Sequence, residues 1–303
     1  MLLCFFRQLA RLPLSWLHRA GAALGWLVYW CSPSYAGRMR ENLYASGVCA
    51  GNDQCERLLR AAIAETGKGV TELAAIWFGT DEKVARLVVE CERWDVVEAA
   101  RRRGDGIIFL TPHLGCFEIS SLYGAQRLPL TVLYRPPKQQ WVEPLMVAGR
   151  SRWHAAVAPA NLRGVRMLYK ALARGEAIGL LPDQAPGVGE GVWADFFGRP
   201  AYTMTLVRRL QQASGAAVIM AFAERLPAGR GYRLHLEELP AANLDEAALN
   251  HAVEVQVRRC PEQYLWSYNR YKTPAGAEPP PAKGKGKREK DDVGGNRSEQ
   301  SPD

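Results

Sequence analysis

The sequence predicts an α/β fold, a mostly parallel central sheet flanked by helices, with helical N-terminal elements and an N-terminal membrane-associated helix ahead of it. Three observations predict it. From residue 104 onward, short apolar runs alternate with segments of helix length, the pattern that builds a parallel sheet through helical crossovers. Residues 41–103 read mainly as helices, with small and apolar positions at helical spacing. The first forty residues carry Arg7, Arg11, Arg19, Arg38 and Arg40 and no acid. With 303 residues, 48% of them hydrophobic and 23% charged, the chain can bury one large core or two modest ones, which excludes a wholly disordered chain, a collagen and a disulfide knot.

Taken in order, residues 1–40 form the expected anchor. Leu2-Leu3-Cys4-Phe5-Phe6 and the run from Leu14 to Cys31 are apolar, but His18-Arg19 interrupts the second. Spanning a bilayer takes roughly 20 apolar residues, so a short or tilted span competes with a helix lying in the interface or packed on the protein's own core. Trp16, Trp26, Tyr29 and Trp30 suit the headgroup level, and the arginines suit anionic lipid. No small-x-small cleavage site follows, which argues against a signal peptide.

The body, 41–273, divides into a helical part, 41–103, and an α/β part, 104–273. In the first, Gln54 to Phe78 and Lys83 to Arg103 read as helices. In the second, strands are expected at 106–110, 130–134, 155–158, 177–181 and 216–223, with helices near 114–126, 138–152, 161–174 and 203–214. Tyr232 to Leu239 alternates and is expected to pair antiparallel with the 216–223 strand, and a last helix covers 244–260. The tail, 274–303, is rich in Pro, Gly and Lys and is expected to be disordered.

The net charge of +8 sits wholly in residues 1–273, because the tail's basic and acidic residues cancel. A basic body points to anionic partners without choosing among nucleic acid, membrane and acidic protein. Aromatic-interleaved RNA motifs and zinc fingers are absent from the sequence, so no nucleic-acid partner is expected. The cysteines are odd in number and scattered, with Cys49 and Cys55 the nearest pair, and read as reduced thiols of a cytosolic environment.

The sharpest chemical feature is Thr111-Pro112-His113-Leu114-Gly115-Cys116-Phe117-Glu118, directly after the 106–110 strand. Active sites of parallel sheets gather at the carboxyl ends of the strands. Pro112 keeps His113 in the turn while Glu118 falls on the first turns of the next helix. From there the carboxylate can reach back to one ring nitrogen, fixing the tautomer and leaving the other nitrogen to take a proton from a hydroxyl. No G-x-S-x-G elbow is present, since Gly149-Arg150-Ser151-Arg152-Trp153 fails at its last position. The other histidines are dispersed, so no metal and no cofactor is expected.

The His-x4-Glu step after a hydrophobic strand resembles the His-x4-Asp/Glu signature of the glycerolipid acyltransferase superfamily, and more finely the lauroyl/myristoyl-type late acyltransferases of lipid A biosynthesis. Further blocks agree in order: Tyr134-Arg135-Pro136, Gly149-Arg150, Leu181-Pro182-Asp183-Gln184, Gly191 to Thr203 with its Phe196-Phe197-Gly198, and Pro261-Glu262-Gln263-Tyr264-Leu265-Trp266 with Arg270 and Lys272. The resemblance covers about residues 10–273. Cys116-Phe117 stands where the family usually has Asn-Trp, and Tyr268 where a histidine is frequent.

The resemblance implies an enzyme, an acyltransferase at the cytoplasmic face of the inner membrane. It would move a fatty acyl chain from acyl carrier protein to a hydroxyl of a lipid A precursor. His113 is then the base and Glu118 its partner, and Arg150 matches a family arginine implicated in the site, stabilising an oxyanion or holding an acceptor phosphate. Arg135 can face phosphate or sit on a solvated face. Asp183 can order the site or be a buried structural acid with Gln184 as loop support. Phe196 and Phe197 can line an acyl groove or pack in the core. Competing readings are a transferase acting on another glycolipid or lysophospholipid and a non-catalytic membrane-binding protein.

Overall fold

The structure, a computed structural model, describes residues 2–137, 139–240 and 244–281. Of the tail expected to be disordered, 282–303 lies outside the described residues. Residues 274–281 continue as coil, where Trp193 Nε1 donates to the Glu278 carbonyl (3.0 Å).

Six helices come first: α1 (Leu2–Leu9), α2 (Leu14–Cys31), α3 (Pro33–Ala45), α4 (Asn52–Thr71), α5 (Leu73–Phe78) and α6 (Asp81–Ala85). Pro33 opens α3 and so forces α2 to stop at Cys31. Helix α2 crosses α4 at backbone contact. A Cβ on Gly67 would lie 1.9 Å from the Gly21 carbonyl oxygen, and one on Gly25 would lie 2.2 Å from that of Ile63. Leu14, Leu17, His18, Gly21 and Gly25 are buried. Helical spacing puts Trp16, Leu27 and Trp30 on the opposite side, where they are exposed, Trp30 by 71%. Among the described residues no helix is long and apolar enough to cross a membrane. Of the three possibilities open for α2, packing on the protein's own core therefore holds for one face, and among the described residues the other apolar face stays exposed.

The reduced-thiol reading needs one correction. The α3–α4 turn brings Cys49 and Cys55 to a Cα–Cα distance of 5.3 Å, and they form a disulfide; Cys4, Cys31, Cys91, Cys116 and Cys260 are free.

The helix expected over Lys83 to Arg103 is also interrupted. The β-branched pair Val88-Val89 lies in an edge strand, β1 (Val88–Glu92), followed by α7 (Trp94–Arg103). The remaining strands of the main sheet are β2 (Ile107–Leu110), β3 (Leu130–Tyr134), β4 (Ala155–Pro159), β5 (Ala177–Leu180), β8 (Ala217–Arg225) and β9 (Tyr232–Leu239), in the order β1-β9-β8-β2-β5-β3-β4. Every neighbouring pair is parallel except β8 with β9, which is antiparallel as the alternation predicted. No strand was expected between 181 and 216, yet a hairpin of β6 (Gly191–Phe196) and β7 (Arg199–Met204) forms there. Its turn, Phe197-Gly198, has positive φ at both residues, matching the twist of a two-residue hairpin.

The central strands are apolar throughout because the sheet is covered on both sides. Ile108, Leu110, Ile178, Leu180, Val218 and Met220 face a core built with α3, α4, α10 (Leu162–Ala173), α11 (Leu206–Ser214) and α12 (Glu246–Arg259). Ile107, Phe109, Ala177 and Ile219 face the opposite core with α5, α7 and α8 (Phe117–Ala125). Helix α9 (Glu143–Arg150) connects β3 to β4 beside α5.

Candidate functional site

The parallel pairing of β2 and β5 sets Leu110 opposite Leu180. Thr111 N–H donates to the Leu180 carbonyl (2.9 Å), extending the ladder one residue past the strand. Three residues beyond Leu110 is His113; three beyond Leu180 is Asp183. The register therefore brings the two to the same height at the carboxyl edge of the sheet. Asp183 Oδ2 accepts the His113 backbone N–H (2.9 Å), and Oδ1 lies 2.9 Å from His113 Nδ1.

Asp183 is 2% exposed. Burial opposes its ionisation, yet the His113 ring and its backbone N–H hold the carboxyl below its usual range. Both carboxylate oxygens accept, so the ring proton sits on Nδ1 and the lone pair on Nε2. That lone pair faces the Gln184 amide, whose Nε2 is 3.0 Å away. Phe117 packs on the ring with centroids 4.9 Å apart. Buried Tyr264 stands beside Asp183; burial and that carboxylate push its phenol well above the ordinary value, so it stays protonated.

The expectation that Glu118 orients the imidazole is corrected by this geometry. Glu118, 4% exposed, is the second residue of α8, and its carboxylate faces α9 and α5 instead of the turn. Arg150 at the end of α9 clasps it through Nε (2.9 Å to Oε2) and Nη2, and Trp77 Nε1 donates to Oε2 (3.1 Å). Burial disfavours the Arg150 charge, but Glu118 restores it and raises its pKa. Among the described residues, the Nη1 of Arg150 makes no hydrogen bond. The site thus holds a hydrogen-bonded His113–Asp183 pair and an Arg150–Glu118 ion pair, joined by the five-residue step of the turn.

The turn itself rests on a buried ionic seat. Gly115 has φ +60°, and a Cβ there would lie 2.0 Å from the Ala223 carbonyl oxygen, so only glycine fits. Cys116 N–H donates to Ala223 (2.8 Å) and Gly115 N–H to Gln263 (3.1 Å), while Leu265 N–H donates to His113 (3.0 Å). Arg225 Nη2 donates to the Gly115 carbonyl (2.7 Å) and, with Nε, to Glu72. Tyr232 Oη donates to Glu72 (2.9 Å), and His18 of α2 lies 3.2 Å from it.

Glu72 is 1% exposed. Burial would raise its pKa, but Arg225, with help from His18, pulls it down to about 2. A carboxyl depressed in the folded state stabilises above its unfolded pKa and loses that contribution as pH falls through the folded one. A shift of this size is worth about 3 kcal/mol. Acid titration of the fold should therefore show stability falling between about pH 4.5 and 2, and Glu72→Gln should flatten that limb. An unchanged acid limb in the variant would count against the seat.

The other expected residues separate. Asp183 and Gln184 join His113 directly. Arg135 stands exposed just past β3, outside both pairs. Phe196 and Phe197 do not line an open groove: they are buried core rings, packed on each other and on Tyr264, Tyr271 and Trp266. The reason is the hairpin, whose alternation turns Phe196 inward against α12. Sequence reasoning missed Trp77, Arg225, Glu72 and the roles of Gln263 and Tyr264. The last two stood in the C-terminal block already noted; nothing local to Glu72 or Arg225 signals a partner 153 residues away.

A family model described as bacterial lipid A biosynthesis acyltransferase matches residues 1–273. The chain is 30% identical over 250 residues to the lipid A biosynthesis palmitoleoyltransferase of Escherichia coli K12, covering 80% of this chain and 76% of that one. It is 26% identical over 272 residues to the lipid A biosynthesis lauroyltransferase of the same organism, covering 87% of each. To the lipid A biosynthesis myristoyltransferase of that strain it is 26% identical over 239 residues, covering 76% and 73%.

Proposed function

The chain belongs to the bacterial lipid A biosynthesis acyltransferase family and is an acyltransferase, and from that premise we propose that it transfers a fatty acyl chain from the thioester of acyl carrier protein to a hydroxyl of a lipid A precursor. The observation that carries the mechanism is the His113–Asp183 pair at the carboxyl edge of the sheet. Asp183 keeps the ring proton on Nδ1, so Nε2 takes the proton of the acceptor hydroxyl as its oxygen attacks the thioester carbonyl. The C–S bond then breaks and the proton passes to the departing sulfur.

Arg150 supplies the positive charge. With Nε and Nη2 engaged by Glu118, its Nη1 is left for the developing oxyanion or an acceptor phosphate. Glu118 thus acts through Arg150 and not through the histidine. Helix α2 lies on the cytoplasmic face of the inner membrane, with Trp16, Leu27 and Trp30 in the headgroup region and Arg19 among anionic lipids. Such a location suits an amphiphilic acceptor, and the basic body suits an acidic carrier protein.

The test is mass spectrometry of lipid A from cells with and without this chain. The expected result is the loss of one secondary acyl mass when it is removed. An unaltered spectrum, with the change appearing in phospholipid or another glycolipid, would replace the acceptor.

A further inference from the structure

Gln184 sits where the acceptor hydroxyl has to arrive. Asp183 and Gln184 are consecutive, so one loop after β5 grips both nitrogens of the His113 ring: the carboxylate at Nδ1 and the amide at Nε2, 3.0 Å away. Asp183 fixes the proton on Nδ1, which makes Nε2 a pure acceptor. The Gln184 amide N–H satisfies it. The base is therefore folded with its lone pair already engaged.

That matters because the reading above has a competing reaction. Water is a hydroxyl donor too. A water deprotonated by Nε2 attacks the thioester carbonyl; the C–S bond breaks, the proton passes to sulfur, and the products are a free fatty acid and a thiol. Any open imidazole beside a bound thioester runs this reaction at the acceptor's expense. We infer that Gln184 is a displaceable cap on the base: it holds Nε2 while only water is present and gives way when the acceptor, anchored elsewhere by its own contacts, brings its hydroxyl to the same position. Gln184 is on this view a positioning residue that sets the ratio of hydrolysis to transfer, and the inference rests on the proposed acyl transfer with His113 as base.

The cap is a single neutral hydrogen bond, which shifts an equilibrium by about three- to tenfold. Bound remotely, an acceptor overcomes such a bond easily, whereas a free water gains nothing that compensates for breaking it.

The experiment uses the full chain in detergent or membranes with dodecanoyl, tetradecanoyl and hexadecanoyl thioesters of acyl carrier protein. A lipid A precursor lacking secondary chains is either added or omitted. Free fatty acid and acylated precursor are counted in the same reaction. Gln184→Met keeps the side-chain length but has no N–H; Gln184→Ala removes both.

The ratio of free acid to acylated precursor is expected to rise about three- to tenfold in Gln184→Met, and at least as far in Gln184→Ala. Adding His113→Ala to Gln184→Met should abolish the excess hydrolysis. An unchanged or lower ratio in Gln184→Met overturns the cap, and so does hydrolysis that persists in the double variant. Failure of the underlying reading looks different: the unaltered protein would then acylate no lipid A precursor at all.

Discussion

Replacing Asp183 by asparagine should lower acyl transfer roughly 10³–10⁴-fold while leaving the protein folded. The size follows from the two hydrogen bonds that the carboxylate accepts. Oδ2 takes the His113 backbone N–H and Oδ1 faces Nδ1. An asparagine has one acceptor and one donor of nearly the same shape. If its oxygen takes the backbone N–H, its amide N–H₂ confronts Nδ1 and drives the ring proton to Nε2, the atom that must receive the hydroxyl proton. If it turns over, the amide meets the backbone N–H and the turn is left with two facing donors. Either way the base is lost or displaced. The readout is kcat with saturating thioester and acceptor, alongside circular dichroism to show an intact fold. A loss below about tenfold would remove Asp183 from the mechanism. Glu118→Gln is the matched control: its effect should travel through the grip on Arg150, without changing which imidazole nitrogen carries the proton.

The second large effect is on stability. Arg225→Met should destabilise the fold by about 3–5 kcal/mol, because it leaves the Glu72 carboxylate buried without the guanidinium that neutralises it. For a chain of this size the melting temperature should drop by roughly 10 °C. The same substitution removes the donor to the Gly115 carbonyl, so residual activity should fall further than stability alone explains. The double variant Glu72→Leu with Arg225→Met should recover a large part of the melting temperature, since no unpaired charge remains. It should not recover activity, because the turn still lacks its support. Thermal unfolding of the three proteins decides it: an unchanged midpoint in the single variant would dismiss the seat as a structural element.

These two expectations bear on different parts of one turn, and neither residue could have been paired from the letters alone. Much else could. The strands at 130–134 and 232–239 lie where their apolar runs put them, and the antiparallel partner of 232–239 followed from its alternation. The histidine was legible because Pro112 excludes helix and the preceding run is a buried strand. The errors have local causes. Val88-Val89 was absorbed into a helical pattern although β-branched residues favour an edge strand, and no strand was expected on either side of Phe197-Gly198 although it closes a hairpin.

Sequence by itself determined the succession of strands and helices, the position of His113 at a carboxyl edge and the membership of the chain in its family. All of these follow from side-chain periodicity, backbone preference and motif order, which act over a few residues. Which carboxylate holds the imidazole was decided only by the tertiary structure. Glu118 is five residues away along the chain, but its place on the first turn of α8 aims it at Arg150. Asp183 is seventy residues away, and the in-register pairing of Leu110 with Leu180 delivers it to the ring. Register between parallel strands is a property of the packed sheet, and a chain read residue by residue does not contain it.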